Sequence, residues 1–158
     1  MEIKIKSRKD IERIALNPFH PKTALISITD YEYEFADLKN KPDFILQLAF
    51  DDVDNDVFED EIGRIPTESE RISIEEKYHM LTDGQAKQIV DFYKYICDDV
   101  GIIICQCEHG QSRSAAIAAA IIEYRNKNGI EIFASYNYYP NKTVFKKVLN
   151  QLVKMQEC

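Results

Sequence analysis

At 158 residues the chain has room for one domain, residues 1–158, and little for a second. A composition of 45% hydrophobic and 30% charged residues is a globular balance. The net charge of −7 argues against nonspecific binding to nucleic acid or to an anionic membrane, since either needs a basic face, and neither partner is expected.

Residues 1–7 alternate Ile3 and Ile5 with charged residues, the pattern of a half-buried edge strand. Ser7 is placed to cap a short helix over residues 10–16, with Ile11, Ile14 and Ala15 on one face, ended by Asn17-Pro18. Residues 23–28 and 43–50 are short apolar runs that read as buried strands. Residues 51–70 are strongly acidic and read as a solvated surface loop with at most a short helix. Pro66-Thr67-Glu68-Ser69 within it reads as a turn. Thr82-Asp83-Gly84-Gln85 has the form of a capping box. The helix it opens carries Ala86, Ile89, Val90, Tyr93 and Ile96 at the spacing of one buried face and ends near Gly101. Residues 101–106 read as a fully buried strand, residues 113–124 as a helix rich in Ala and Ile, and residues 141–155 as an amphipathic helix. Strands alternating with helices predict an α/β fold, a mostly parallel central sheet flanked by helices. The opening residues lack the apolar core of a secretory signal and no run reaches membrane-spanning length. Cys158 does not end a prenylation motif, so the expected compartment is the cytoplasm.

The chemistry concentrates in Cys107-Glu108-His109-Gly110-Gln111-Ser112-Arg113-Ser114, between a buried strand and a helix. Backbone N–H groups of a loop at a helix N-terminus bind anions. Gly110 supplies the dihedrals such a cradle needs. A cation in the first turn of a helix, as at Arg113, is electrostatically unfavourable unless an anion accompanies it. Its guanidinium fork matches two phosphate oxygens. Cys107 sits beneath this cradle, where amides and helix dipole stabilise a thiolate poised for attack on phosphorus. Ser114 is positioned to donate a hydrogen bond to the departing sulfur. The four cysteines, Cys97, Cys105, Cys107 and Cys158, are read as thiols, and no second ligand pair makes a zinc site.

This segment resembles the phosphate-binding loop of the protein tyrosine phosphatases, specifically the compact dual-specificity group. Cys107 matches that family's nucleophile, Gly110 its loop glycine, Arg113 its phosphate-binding arginine and Ser114 its thiolate-assisting hydroxyl. The loop residues Glu108, His109, Gly110, Gln111 and Ser112 would surround the phosphate. Ala115-Ala116-Ile117-Ala118 is similar to the family's small-residue helix, and Pro140-Asn141 with Phe145 and Leu149 to its final helix entry. The family's general acid is an Asp just after a strand, facing the cradle. Residues 43–52 are similar to that strand and loop, which implies Asp52, with Asp51 second and Asp54 third.

The chain departs from the family in two places. Gln106 stands where the family has His before the nucleophile, and Asp52 lies farther upstream of Cys107 than usual. The excess is read as an insertion over residues 53–79, an ordinary surface excursion rather than a lid. Tyr31, Tyr33 and Phe35, and Tyr136, Tyr138 and Tyr139, are read as loop aromatics anchored on the core, outside the site. His109 and Glu108 are read as solvent-facing side chains.

The resemblance implies a cysteine-dependent phosphomonoesterase, a protein tyrosine or dual-specificity phosphatase, acting on phosphorylated proteins through a cysteinyl-phosphate intermediate. No cofactor or metal is expected, because Arg113 and the loop amides balance the phosphate charge. The alternatives are a phosphatase of an RNA 5′-phosphate or a phosphoinositide, and a non-catalytic phosphate-binding module.

Overall fold

A computed structural model gives the structure and describes residues 1–155. Cys158, on which the reading of the chain's ending rests, lies outside the described residues. Four strands form one sheet: β1 (Glu2–Ser7), β2 (Thr23–Thr29), β3 (Phe44–Ala49) and β4 (Ile102–Cys107), in the spatial order β1-β4-β2-β3. Every pairing is parallel. All seven residues of β2 are buried, as expected of an inner strand covered on both faces. The alternating β1 is an edge strand, as its pattern predicts.

The main core lies between one face of the sheet and three helices: α4 (Asp83–Ile96), α5 (Arg113–Asn126) and α7 (Lys142–Lys154). Tyr93, Ile96, Ile117, Val148 and Leu152 meet Ile26, Ile28 and Ile103 there. The capping box at Thr82 is present, with Thr82 and Gln85 each satisfying the other's backbone N–H. Ala115 to Ile121 of α5 are all fully buried. A helix enclosed on all sides needs small residues, and the alanines let it lie close to the sheet. On the opposite face, α1 (Arg8–Ile14), capped by Ser7, seats Ile11 against Leu25, Ala36 and Ile104. A five-residue helix, α6 (Ile130–Ala134), sets Phe133 edge-on to Phe145.

The acidic segment departs from the expected loop. It folds as two helices, α2 (Asp56–Ile62) and α3 (Glu68–Lys77). The Pro66 to Ser69 turn signal is a helix start, since Thr67 and Glu70 complete a second capping box. Val57, Ile74 and Met80 form a small core of their own. Glu75, 3% exposed, is paired with Arg71 at 2.9 Å and with Lys147 of α7 at 2.5 Å. Charge density concealed these helices, because their few apolar residues are set among many charged ones.

Cys105 and Cys107 are free and buried. Cys97 is disulfide-bonded, so the reading of thiols throughout does not hold there. Among the described residues no helix is long and apolar enough to cross a membrane.

Asp54 caps α7 from outside, accepting from the N–H groups of Lys142 (3.1 Å) and Thr143 (3.2 Å) and from the Thr143 hydroxyl (2.5 Å). Burial pushes its pKa up, but the Thr143 hydroxyl and the N–H groups of Asn55, Lys142 and Thr143 outweigh it and hold the carboxyl below its ordinary 3.8. A depressed carboxyl stabilises above its unfolded pKa and loses that contribution as pH falls through the folded value. Asp54→Ala is therefore expected to cost about 1–2 kcal/mol in urea unfolding at pH 7. The difference from the parent should shrink as pH is lowered from 3.8. A gap that persists unchanged in acid would assign it to packing instead.

Candidate active site

The carboxyl ends of the strands converge on one place, where open α/β sheets hold ligands. Central β4 ends at Cys107, and Ser7 of β1 is its register partner. Arg113 begins α5 six positions after Cys107, so the loop of residues 108–112 spans strand end and helix start. Gly110 has φ +67°, and a Cβ there would lie 2.7 Å from the Ser7 nitrogen and 3.0 Å from the Lys6 carbonyl oxygen. Both the backbone conformation and the close approach of β1 require glycine.

Three of the five loop carbonyls, those of Glu108, Gln111 and Ser112, are engaged by backbone N–H groups. Arg8 N–H donates to Glu108 O, Tyr139 N–H to Gln111 O, and Asn141 and Ala116 N–H to Ser112 O. None of the N–H groups of residues 108–112 donates to another described residue. That leaves a row of donors and the N-terminus of α5, an arrangement suited to an anion. Glu108 is not simply solvent-facing: its carboxylate accepts from Arg8 Nε at 2.8 Å and pins the loop to α1. His109 is exposed, as expected.

Cys107 is 2% exposed, and its Sγ lies 3.0 Å from Ser114 Oγ. Its neighbour Cys105 is pushed up to about 12 by burial and, second, by Cys107, and so stays protonated. Gln106 is fully buried. Its Oε1 accepts from Ser27 Oγ at 2.5 Å and its Nε2 donates to the Cys107 carbonyl at 3.1 Å. The residue that departs from the resembled family therefore holds the Cys107 backbone carbonyl and is itself oriented from β2.

Arg113 is 4% exposed. Its Nη1 donates to Phe50 O at 2.6 Å and pairs with Asp30 Oδ1 at 2.7 Å. Its Nε is buried without a partner. A buried, unsatisfied guanidinium N–H costs free energy unless something completes it.

The three candidate acids separate. Asp52 is exposed, and its Oδ1 accepts from Ser112 Oγ (2.8 Å) and Asn141 Nδ2 (2.9 Å), which sets it against the loop. Asp51 accepts from Tyr31 N–H at 2.9 Å and lines the same cleft. Asp54 is committed to the α7 cap.

The cleft has a volume of about 580 Å³ and is lined by Asp30, Tyr33, Asp52, His79, His109 and Arg113, among others. Tyr31 stacks on His79 at 3.7 Å between ring centroids. Tyr33 is 64% exposed on the cleft wall and Tyr136 and Tyr139 are 98% and 73% exposed, so the reading of these tyrosines as core anchors is wrong. No motif in the sequence marks Asp30, Ser27 or His79 as part of the site. A lone Asp one residue past a strand carries no periodic signal, and a buried Ser within a strand looks like packing. Among the described residues no group of three or more His, Cys, Asp or Glu side chains is arranged to hold a metal ion.

No protein-family model and no curated protein matches the chain. Among solved structures it is similar to PTPMT1 in complex with PI(5)P, with 14% identity and a TM-score of 0.50, over 97% of this chain and 91% of that one. A second PTPMT1 crystal structure gives 13% identity and a TM-score of 0.43, over 97% and 90%. At such identity the likeness is one of fold. The helix-flanked, all-parallel sheet is thus shared with a PTPMT1 structure.

Gly110→Ala is expected to destabilise the protein by about 1–3 kcal/mol, since it forces a Cβ into the β1 backbone from a left-handed conformation. It should also weaken orthovanadate binding at least tenfold, read by protection of Cys107 from alkylation. A variant with parent-like stability and protection would show that the β1 contact does not shape the loop.

Proposed function

We propose that the protein is a cysteine-dependent phosphatase that hydrolyses phosphate monoesters of proteins through a cysteinyl-phosphate intermediate. The observation that carries this reading is the buried Arg113, unpartnered at Nε, beside a loop of undonated N–H groups that runs from Cys107. Those groups are complementary to a dianion. The likeness in fold to a phosphatase structure is consistent with it.

In the proposed reaction, the phosphate occupies the loop with its oxygens on the N–H groups of residues 108–112 and on Arg113. Phe50 O and Asp30 hold Nη1, so the guanidinium presents its remaining edge without reorganising. The Cys107 thiolate attacks phosphorus, forming the S–P bond as the P–O bond to the substrate breaks. Asp52 gives its proton to the departing oxygen. Both of its hydrogen bonds fall on Oδ1, which leaves Oδ2 to carry that proton. Water, deprotonated by Asp52, then attacks phosphorus and returns the thiolate, with the Ser114 hydroxyl stabilising the sulfur at 3.0 Å.

The departure at Gln106 favours a non-catalytic binding module, and the retained nucleophile Cys107, with Ser114 Oγ 3.0 Å from its Sγ, weighs against it. A phosphoinositide is the second substrate reading, since the similar PTPMT1 structure holds PI(5)P.

Cys107→Ser should abolish turnover of an aryl phosphate while retaining phosphate binding, because serine keeps the cradle but is a poor nucleophile. Arg113→Lys should be nearly as damaging as Arg113→Ala, because lysine lacks the planar fork. Undiminished hydrolysis by either variant sinks the assignment it tests.

Asp52→Asn should barely slow an aryl leaving group of low pKa. It should cost ~100–10,000-fold on a phosphopeptide, whose leaving group needs a proton. The basic limb of the parent's pH profile, which falls as the acid deprotonates, should flatten in this variant. If Asp51→Asn does this instead, the loop is right and the residue wrong.

A further inference from the structure

The rim of the cleft is acidic. Asp30, Glu32, Asp51, Asp52 and Glu108 line it beside Arg113, His79 and His109. Asp30 is paired with Arg113 and Glu108 with Arg8, which leaves Glu32, Asp51 and Asp52 without a cation partner among the described residues. A second hollow of about 490 Å³ adjoins it, sharing Asp52 and also lined by Ser112 beside Arg113. Its lining includes Asp54, Asp56, Asp60, Tyr78 and Tyr139, and no Lys or Arg lines it. Over residues 51–70 nine carboxylates face the single cation Arg64. That arginine is bound to Glu70 at 2.8 Å, and nearby Lys77 to Glu61 at 2.7 Å. Arg8, beneath the loop, is held by Glu108, Thr29 and the Glu34 carbonyl. Asp56 and Asp60 are exposed.

Two requirements meet here. The unpartnered Nε of Arg113, in a side chain 4% exposed, calls for an anion inside the cleft. The surface around that point repels anions. One phosphate fits the cradle, and further negative charge on the same ligand would face carboxylates. A phosphoinositide headgroup carries a second phosphate and sits on an anionic surface, so it meets this repulsion twice.

We infer that the substrate is a phosphoprotein segment whose phosphorylated residue is flanked by lysines or arginines, which meet Glu32 in the cleft and Asp56 and Asp60 in the adjoining hollow. This rests on the phosphatase reading and adds the chemistry of what surrounds the phosphate. Such complementarity governs encounter and partner choice, and screening by salt weakens it.

The test uses three phosphotyrosine peptides identical except for flanking Lys, Ser or Glu residues. It adds an aryl phosphate as a probe of the chemistry alone and PI(5)P in neutral-lipid vesicles. The Lys peptide should exceed the Glu peptide in kcat/KM by about tenfold at low salt, with the Ser peptide between them. The ratio should fall toward unity near 1 M salt, where the Debye length is about 3 Å. In the double variant Asp56→Asn, Asp60→Asn the ratio should drop at least threefold; it is read within each protein, so that changes in overall activity cancel. Equal or inverted preference overturns the inference while leaving aryl phosphate turnover, and the phosphatase reading, intact. So does faster hydrolysis of PI(5)P vesicles than of the Lys peptide. If the aryl phosphate is not hydrolysed, the phosphatase reading fails. Equilibrium binding of the same peptides to the Cys107→Ser protein then decides the selectivity alone: tighter binding of the Lys peptide supports it, and equal binding overturns it.

Discussion

A guanidinium buried at the N-terminus of a helix sets the terms for the rest of this molecule. The positive end of α5 disfavours Arg113, and burial removes the water that would otherwise solvate it. The structure offsets part of this with Asp30 at 2.7 Å and the Phe50 carbonyl at 2.6 Å, both on Nη1. These two partners come from neighbouring strands by register. Thr29 of β2 pairs with Ala49 of β3, so the next residues, Asp30 and Phe50, leave the sheet side by side. Three parallel strands must therefore end at one level for the charge to be held. What they leave uncompensated is the Nε edge, and the remaining demand for negative charge falls inside the cleft.

The loop answers the same demand from below. An anion cradle works only if its N–H groups point inward, and that requires its carbonyls to be engaged elsewhere. Arg8, Tyr139 and Asn141 meet the carbonyls of Glu108, Gln111 and Ser112, while Arg8 also grips the Glu108 carboxylate. Gly110 presses onto the β1–α1 junction too closely for any side chain. Gln106 adds a rigid amide strut between Ser27 and the Cys107 carbonyl. Donors held by contacts outside the cradle need no reorganisation when charge arrives, which is the condition for strong electrostatic stabilisation.

Much of this was legible in the sequence, and the parts that were not share a cause. The strand–loop–helix around Cys107, the buried face of α4 and its capping box all come from local patterns with a fixed period or spacing. The partners of the site depend on register between distant strands. Asp30 is one of 27 acidic residues, and only the β2–β3 pairing sets it beside Arg113. Ser27 reaches Gln106 through the β2–β4 pairing in the same way. Likeness to a family favours Asp52 over Asp51 and Asp54. The geometry adds that Asp54 is occupied as a helix cap and that Asp52 rests on Ser112. The helices α2 and α3 are hidden in the sequence because their acidic composition is also that of a solvated loop. In this segment Glu61, Glu70 and Glu75 are paired with Lys77, Arg64, Arg71 and Lys147, while Asp56 and Asp60 stay exposed.

The same pairing bears on whether residues 53–79 behave as a lid. A lid must detach cheaply, so its contacts with the body should be few and exposed. This segment is tied down by the buried carboxylate of Glu75, which binds Arg71 on its own helix and Lys147 on α7, while Lys147 also donates to the Leu81 carbonyl. Lifting α3 away would strand Glu75 or Lys147 without its counter-charge, and breaking a buried pair costs roughly 3–5 kcal/mol. At its two ends, Asp51 N–H donates to the His79 carbonyl at 2.7 Å, which closes the excursion into a loop with a fixed base. The segment is better described as a wall than as a door. Its added length leaves the proposed phosphate cradle to β4 and α5, and extends the cleft on one side with a fixed, negatively charged surface.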